Sequence, residues 1–451
     1  MTYIRLSMAV LAGGGAAIAA LADTSERKAS PAPAAVVAGA SANAAPEWSG
    51  WRGPFRNGCS PEKGLKWAKE PPRKVWQAKL DGGGYGGMAV SGGRIYVGIS
   101  FDPKGNSSYK TAVCCLDARD GSLLWKTMPT RDENYSAAFH STPTVDSGVV
   151  YAVNSAGWCV ALDAVSGTSL WEKDLVKELS IVGLPGYGIA TSPLVMGSVL
   201  IVGGVGIDKK SGKVLWNKGL SSILSTTCGE TDGQMAAICA GGESVEGVNP
   251  ADGRTLWSFP RKGFGGIGPG TPLYLDPQLY SNHLYFVSGY GGCTVRIADG
   301  TGTAAARPEA GYGYTFANLT LWNGCIYGGE SGPGDGNITG ALNCVDVLTG
   351  KILWRHEGYG ANTLAVDGRL IIQTTAGDLI IAEASSKEYK PLHKVRIRAK
   401  PDYDYSKGDR PMVTAPAFSK GRLYCRDGGA VICFDLLDAA DPGGGTGKGN
   451  P

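Results

Sequence analysis

Asp163-Ala164-Val165-Ser166-Gly167-Thr168-Ser169-Leu170-Trp171 is one of five copies of the phrase D-x-x-x-G-x-x-x-W. The others are marked by Asp117, Gly121 and Trp125, by Asp208, Gly212 and Trp216, by Asn249, Gly253 and Trp257, and by Asp346, Gly350 and Trp354. Two residues before each acid or amide stands a small residue: Cys115, Ala161, Gly206, Gly247 or Cys344. An Asp or Asn can accept backbone N–H bonds across a tight turn, and a Gly four residues on supplies a positive φ. The phrase therefore reads as a turn between two strands, with Trp on the second offering about 150–250 Å² of surface to bury. Working outward from 163–171, apolar runs at 141–145, 149–153 and 158–162 supply three more strands. A four-stranded sheet of this kind has two apolar faces and cannot bury both alone. Repeating it radially buries each sheet against its neighbours, which is the logic of a β-propeller.

The spacing sets the expected number of blades. Trp76, Trp125, Trp171, Trp216 and Trp257 follow one another at about one repeat each, and Trp354 stands about two repeats further on. That longer interval holds a worn unit near 271–308, in which Ile297-Ala298-Asp299-Gly300 replaces the phrase. A second worn unit covers about 362–393, with Glu383 at the Asp position and no Trp. The last unit, 415–436, has Cys433-Phe434-Asp435 but no fourth strand, whereas Lys74-Val75-Trp76-Gln77 is a fourth strand with no unit before it. Pairing these two closes the ring. The expectation is all-β: an eight-bladed β-propeller of four-stranded antiparallel blades, sealed by the N-terminal strand against the last blade, which leaves few exposed sheet edges.

The 451 residues carry a formal net charge of +3, with 18% of them charged, so no basic footprint for nucleic acid is present. Gly, at 69 residues, is roughly twice its usual abundance, as short strands and tight turns require. Residues 1–22 read as an export signal: Arg5, an apolar stretch at 8–21, and Ala20-Leu21-Ala22 as a small-x-small cleavage site. The stretch is too short for a good membrane span, so none is expected after cleavage. Residues 23–46 form an Ala/Pro-rich spacer and 441–451 a polar tail, both with the composition of disorder, around one propeller at 47–440. These readings place the protein in the periplasm or outside the cell, as a monomer. Of the 11 cysteines, Cys115, Cys344 and Cys433 fall in the small-residue slot, where Cys serves as a compact hydrophobe.

The phrase A-x-D-x-x-x-G-K-x-x-W, fullest in Gly206 to Trp216 and Cys344 to Trp354, resembles the tryptophan-docking repeat of pyrroloquinoline-quinone (PQQ) type propellers. The opening Trp48-Ser49-Gly50-Trp51-Arg52-Gly53-Pro54-Phe55-Arg56-Asn57-Gly58 is similar to the start of exported bacterial members with no assigned activity. Gly421-Arg422-Leu423-Tyr424-Cys425-Arg426-Asp427 is similar to their last blade. More distantly the repeats resemble the propeller lipoprotein of the outer-membrane β-barrel assembly machine, although no lipidation cysteine follows the signal. The resemblance implies two functions. One is a scaffold without cofactor. The other is a PQQ-dependent alcohol or sugar dehydrogenase, with Ca²⁺, oxygen ligands, a carboxylate base and, in many members, a disulfide between adjacent cysteines.

The residues favour the scaffold. The Asp residues of the phrase are explained by their turns, and the adjacent Cys114 and Cys115 should point to opposite faces of one strand. No metal-ligand spacing and no catalytic motif stands out. The segments leading into the innermost strands are rich in Tyr and Gly, as binding surfaces often are. They place Tyr85, His140, Tyr187, Thr191, Tyr314, Asn362 and Arg410 on one face around the axis, as candidates to hold a protein, peptide or glycan.

Overall fold

The computed structural model describes residues 47–102, 110–130, 139–182, 184, 188–219, 224–241, 244–260, 272–275, 283–288, 291–306, 318–329, 340–358, 360–398 and 412–438. Residues 1–46 and the tail lie outside this range. The described strands form seven sheets, six of them four-stranded. The second sheet is representative: Thr144–Asp146, Val149–Val153, Trp158–Asp163 and Ser169–Asp174 pair antiparallel in chain order. Its first hairpin turns on Ser147 (φ 48) and Gly148 (φ 78), the pair of left-handed residues that a two-residue turn matched to strand twist demands.

The first strands of successive sheets, such as Met88–Ser91, Thr144–Asp146 and Leu194–Met196, are neighbours across the sheets and line the axis. Apolar side chains fill the spaces between sheets. Ala89, Tyr96, Val113 and Cys115 of the first sheet pack on Val145, Val150 and Trp158 of the second. With both faces covered, Trp158–Asp163 is buried at every position but the last. The result is an all-β propeller of four-stranded antiparallel blades.

Arg73–Lys79 pairs antiparallel with Ala430–Asp435, so a strand from the start of the described chain completes the sheet that ends it. Trp76 lies opposite Cys433 in that pairing. The expected eight separate sheets are seven, because one sheet has eight strands. There Thr255–Pro260 meets Thr301–Ala306 through one parallel pair, Ser258 with Thr301, and Ser258 N–H donates to Gly300 O at 3.2 Å. The physical reason is local. Gly302 has no side chain, and a Cβ there would meet Phe259 Cβ at 2.6 Å, so the two outer strands close to backbone contact.

Candidate functional site

The repeated phrase builds the fastening between sheets. Five indole N–H groups cross to a carbonyl in the next sheet's turn: Trp76 to Ala118, Trp125 to Ala164, Trp171 to Lys209, Trp216 to Pro250 and Trp354 to Ser385, at 2.8–3.3 Å, whereas that of Trp257 has no partner among the described residues. Four of these rings lie on the Gly of the receiving turn, so a Cβ on Gly121 would meet Trp76 at 2.7 Å, on Gly167 Trp125 at 2.5 Å, and on Gly212 Trp171 at 2.9 Å. Gly253 receives Trp216 at 2.7 Å in the same way. The small slot is the position directly across the strand pair from Trp: Cys115 faces Trp125, Ala161 Trp171, Gly206 Trp216, Gly247 Trp257 and Cys344 Trp354. Asp163 accepts from Val165 and Ser166 N–H, and Asp208 and Asp346 bond their turns likewise. Asp117 also binds Arg119 at 2.7 Å, and that bond holds its carboxyl down at about 2.

Sequence reasoning missed a partner in this fastening. Tyr96, Tyr151, Tyr327 and Tyr424, on second strands, have rings 5.9–6.2 Å from Trp125, Trp171, Trp354 and Trp76. The Tyr96 and Tyr151 hydroxyls donate to the same carbonyls as their tryptophans, Ala164 and Lys209. The signal was present, since each Tyr follows a hairpin Gly by three residues: Gly93, Gly148, Gly324 and Gly421.

At the loop end of the axis, hydroxyls stitch one blade to the next. Gly87 N–H donates to Thr142 Oγ1, Thr142 N–H to Ser192 Oγ, and Ser192 N–H to Ser225 Oγ, at 2.8–3.0 Å. Asn362 belongs to this belt. Its side chain accepts from Asn318 N–H at 2.9 Å and donates to Val413 O at 3.0 Å, and the residue is buried. Thr191 is buried too, and its Oγ1 has no partner among the described residues. Tyr85 is 43% exposed, and its ring lies 5.5 Å from the half-buried His140. Tyr187, Tyr314 and Arg410 lie outside the described residues, so of the seven candidates only Tyr85 and His140 are seen together at an open surface.

The opposite end of the axis is closed by residues 47–60. Trp48 O accepts from Val90 N–H, Ser49 O from Val145, Asn57 O from Leu321 and Gly58 O from Ala365, which satisfies four inner-strand edges. Glu47 caps the Gly92 turn and binds Lys420, and Glu62 accepts from Lys420 N–H. Two buried arginines stand in this segment, Arg52 at φ 59 and Arg56 at φ 52. Non-glycine residues rarely adopt that backbone, which costs on the order of 1 kcal/mol each. Arg56 donates to Thr226 O (3.2 Å), Thr144 Oγ1 (3.3 Å) and Pro193 O. Burial pushes the Arg56 guanidinium down to about 10; burial, together with the charge of Arg56 beside it, takes Arg52 down to about 9. Both remain cations at neutral pH.

A calcium-bound quinone needs carboxylate and amide oxygens converging on the axis. Among the described residues the buried carboxylates are Asp117, Asp146 and Asp378, all in turns or strand ends and paired to Arg119, Lys209 and Arg396. The described donor set therefore does not fit Ca²⁺. Cys114 and Cys115 pack into different inter-sheet clusters. All 11 cysteines are buried thiols, and burial pushes Cys59, Cys114, Cys159 and Cys239 up to about 12. A thiol reagent should accordingly modify none of the reduced protein's 11 cysteines within minutes under native conditions and all of them in guanidinium. One rapid equivalent in the folded state would show that a described thiol is open.

The chain is 27% identical over 128 residues to the outer membrane protein assembly factor BamB of Nitrosomonas eutropha, covering 28% of this chain and 29% of that one. It is 28% identical over 316 residues to BamB of Yersinia pestis, covering 65% and 70%. It is also 26% identical over 249 residues to the quinoprotein alcohol dehydrogenase PedH of Pseudomonas putida, covering 49% and 40%. The chain thus spans less than a third of the first of these relatives and less than half of the dehydrogenase. Among solved structures, quinohemoprotein alcohol dehydrogenase from Comamonas testosteroni superposes with a TM-score of 0.63 at 14% identity, covering 88% of this chain and 81% of that one. That likeness supports the propeller fold. No helix among the described residues is long and apolar enough to cross a membrane. The family model described as outer membrane protein assembly factor BamB matches residues 69–225 and 188–390, most of the chain, and the protein belongs to that PQQ-like propeller family.

Proposed function

We propose that the protein is an exported binding or scaffolding propeller whose working surface is the loop end of its axis. The observation that carries this reading is Tyr85, more open than any other aromatic ring among the described residues and tilted against His140. Thr142, Ser192, Ser225 and Asn362 are taken up by bonds between blades, and the other end is covered by residues 47–60. The family, whose model is named for an assembly factor, supports a role in holding another protein.

In this proposal the ring has eight blades. Thr227–Pro260 and Leu273–Ala306 are each four-stranded, and one pair of residues joins them. Residues 1–22 are removed on export, so the N-terminal sequence of the exported protein should begin at Asp23. A photo-crosslinking residue at Tyr85 should give a discrete adduct in the exporting cell, while the same residue at Leu170 on the outer rim should not. Adducts at the rim and none at position 85 would overturn the assignment of this surface.

The similarity to PedH favours one alternative, a quinone-dependent oxidoreductase. Dye-linked alcohol or aldose oxidation by the purified chain after addition of PQQ and Ca²⁺ would establish it.

A further inference from the structure

Arg426 has a charge that no described residue balances. In the sixth sheet Gln373 holds the next blade's incoming segment by donating to Thr414 O at 2.7 Å. In the seventh sheet Arg426 does the same for the segment before Met88, donating to Gly86 O at 2.7 Å through Nη1, with Nε on Gly428 O at 3.2 Å. A neutral amide suffices for this clamp, yet here a guanidinium 1% exposed performs it, and Nη2 has no partner among the described residues. Among the described residues, Asp427 is engaged with Arg398, and Asp81 with Lys126 at 2.7 Å. Burial lowers the guanidinium only to about 10, so it stays charged. An unpaired cation in a low-dielectric site is costly unless an anion completes it.

The covering backbone is bare. A side chain on Gly84 would meet Nη2 at 2.9 Å and Phe139 O at 3.0 Å. Tyr85 follows at once, with its exposed ring beside His140.

We infer that the loop-end surface takes an acidic peptide segment, one carboxylate seated on Arg426 Nη2 as the Gly84 backbone gives way, and the adjoining chain against Tyr85 and His140. This rests on the binding reading above. A neutral glycan would leave the guanidinium unbalanced, and a doubly charged phosphate calls for more donors than one NH₂ group.

The test is calorimetric titration of the full chain with acetyl-Glu-Glu-Tyr-Glu-Glu-amide, its Gln counterpart and inorganic phosphate. The Glu peptide should bind at least tenfold tighter than the Gln peptide. Arg426→Gln, which installs the amide that Gln373 uses for the same clamp, should abolish that preference, and Tyr85→Ala should weaken both peptides alike. As a measurement independent of any variant, the preference of the unmodified protein should shrink severalfold between low and high salt. Retention of the preference by Arg426→Gln, or a preference insensitive to salt, would overturn the inference while leaving the Tyr85 surface standing. Tight phosphate binding lost in Arg426→Gln would assign the site to a free oxyanion instead. Failure of both peptides to bind overturns the inference, and Tyr85→Ala without effect on a peptide that does bind counts against the surface itself.

Discussion

Arg56→Ala should destabilise the protein by about 3 kcal/mol or more, read as a shift in the denaturant midpoint of the full chain at constant slope. Its guanidinium is the hub between the segment at 47–60 and three inner strands, reaching Thr144, Pro193 and Thr226. Each bond from a charged donor contributes about 1.5–3 kcal/mol, and truncation leaves buried acceptors unmet. The loss is partly offset because the charge is itself desolvated, with neutral groups for its partners. Arg56→Lys should recover little, since an ammonium cannot span acceptors set for a planar fork. Arg56→Met should fall between, because it keeps the apolar stem and removes the charge. A change below 1 kcal/mol for Arg56→Ala would mean that residues 47–60 rest on the propeller without holding it.

How much of this was legible in the sequence depends on periodicity. The phrase around Asp163, Gly167 and Trp171 recurs, so its turn, its small slot and the pairing of Arg73–Lys79 with the last sheet could be read from spacing. Residues 47–60 occur once and match no repeat; two arginines four apart carry no period from which burial at an axis could be inferred. The second-strand tyrosines escaped for a different reason. The loops between second and third strands vary in length, so their distance from the Asp is not constant even though their distance from the hairpin Gly is. Joining of two units into one eight-stranded sheet turned on Gly302, where a missing side chain acts only once Phe259 is beside it. At the loop end, Tyr and Gly composition pointed to a surface but could not separate the exposed Tyr85 from Asn362, which inter-blade hydrogen bonds consume. Composition gives residue types, whereas their availability depends on what the next blade offers.

Trp171→Ala should cost about 3–5 kcal/mol, the range for removing a large ring that its surroundings cannot fill. The ring covers Gly212 and faces Ala161, and its N–H donates to Lys209 O at 3.0 Å. Phenylalanine substitutions separate packing from the hydrogen bond. Trp171→Phe should cost about 1–2 kcal/mol, because the bond is lost although Tyr151 still donates to Lys209 O. Trp257 has the same place in its repeat and is almost fully buried, but its N–H has no partner among the described residues, and the turn beside it at Gly300 receives no ring. Trp257→Phe should therefore be near neutral, since it removes an unsatisfied buried donor along with the volume. Thermal and denaturant melts of both variants decide the matter. Equal losses at the two positions would mean that the indole bonds add nothing to the packing. A larger loss at Trp257 would mean that its N–H is satisfied in solution, and the fastening would then run unbroken through the sheet in which two blades are joined.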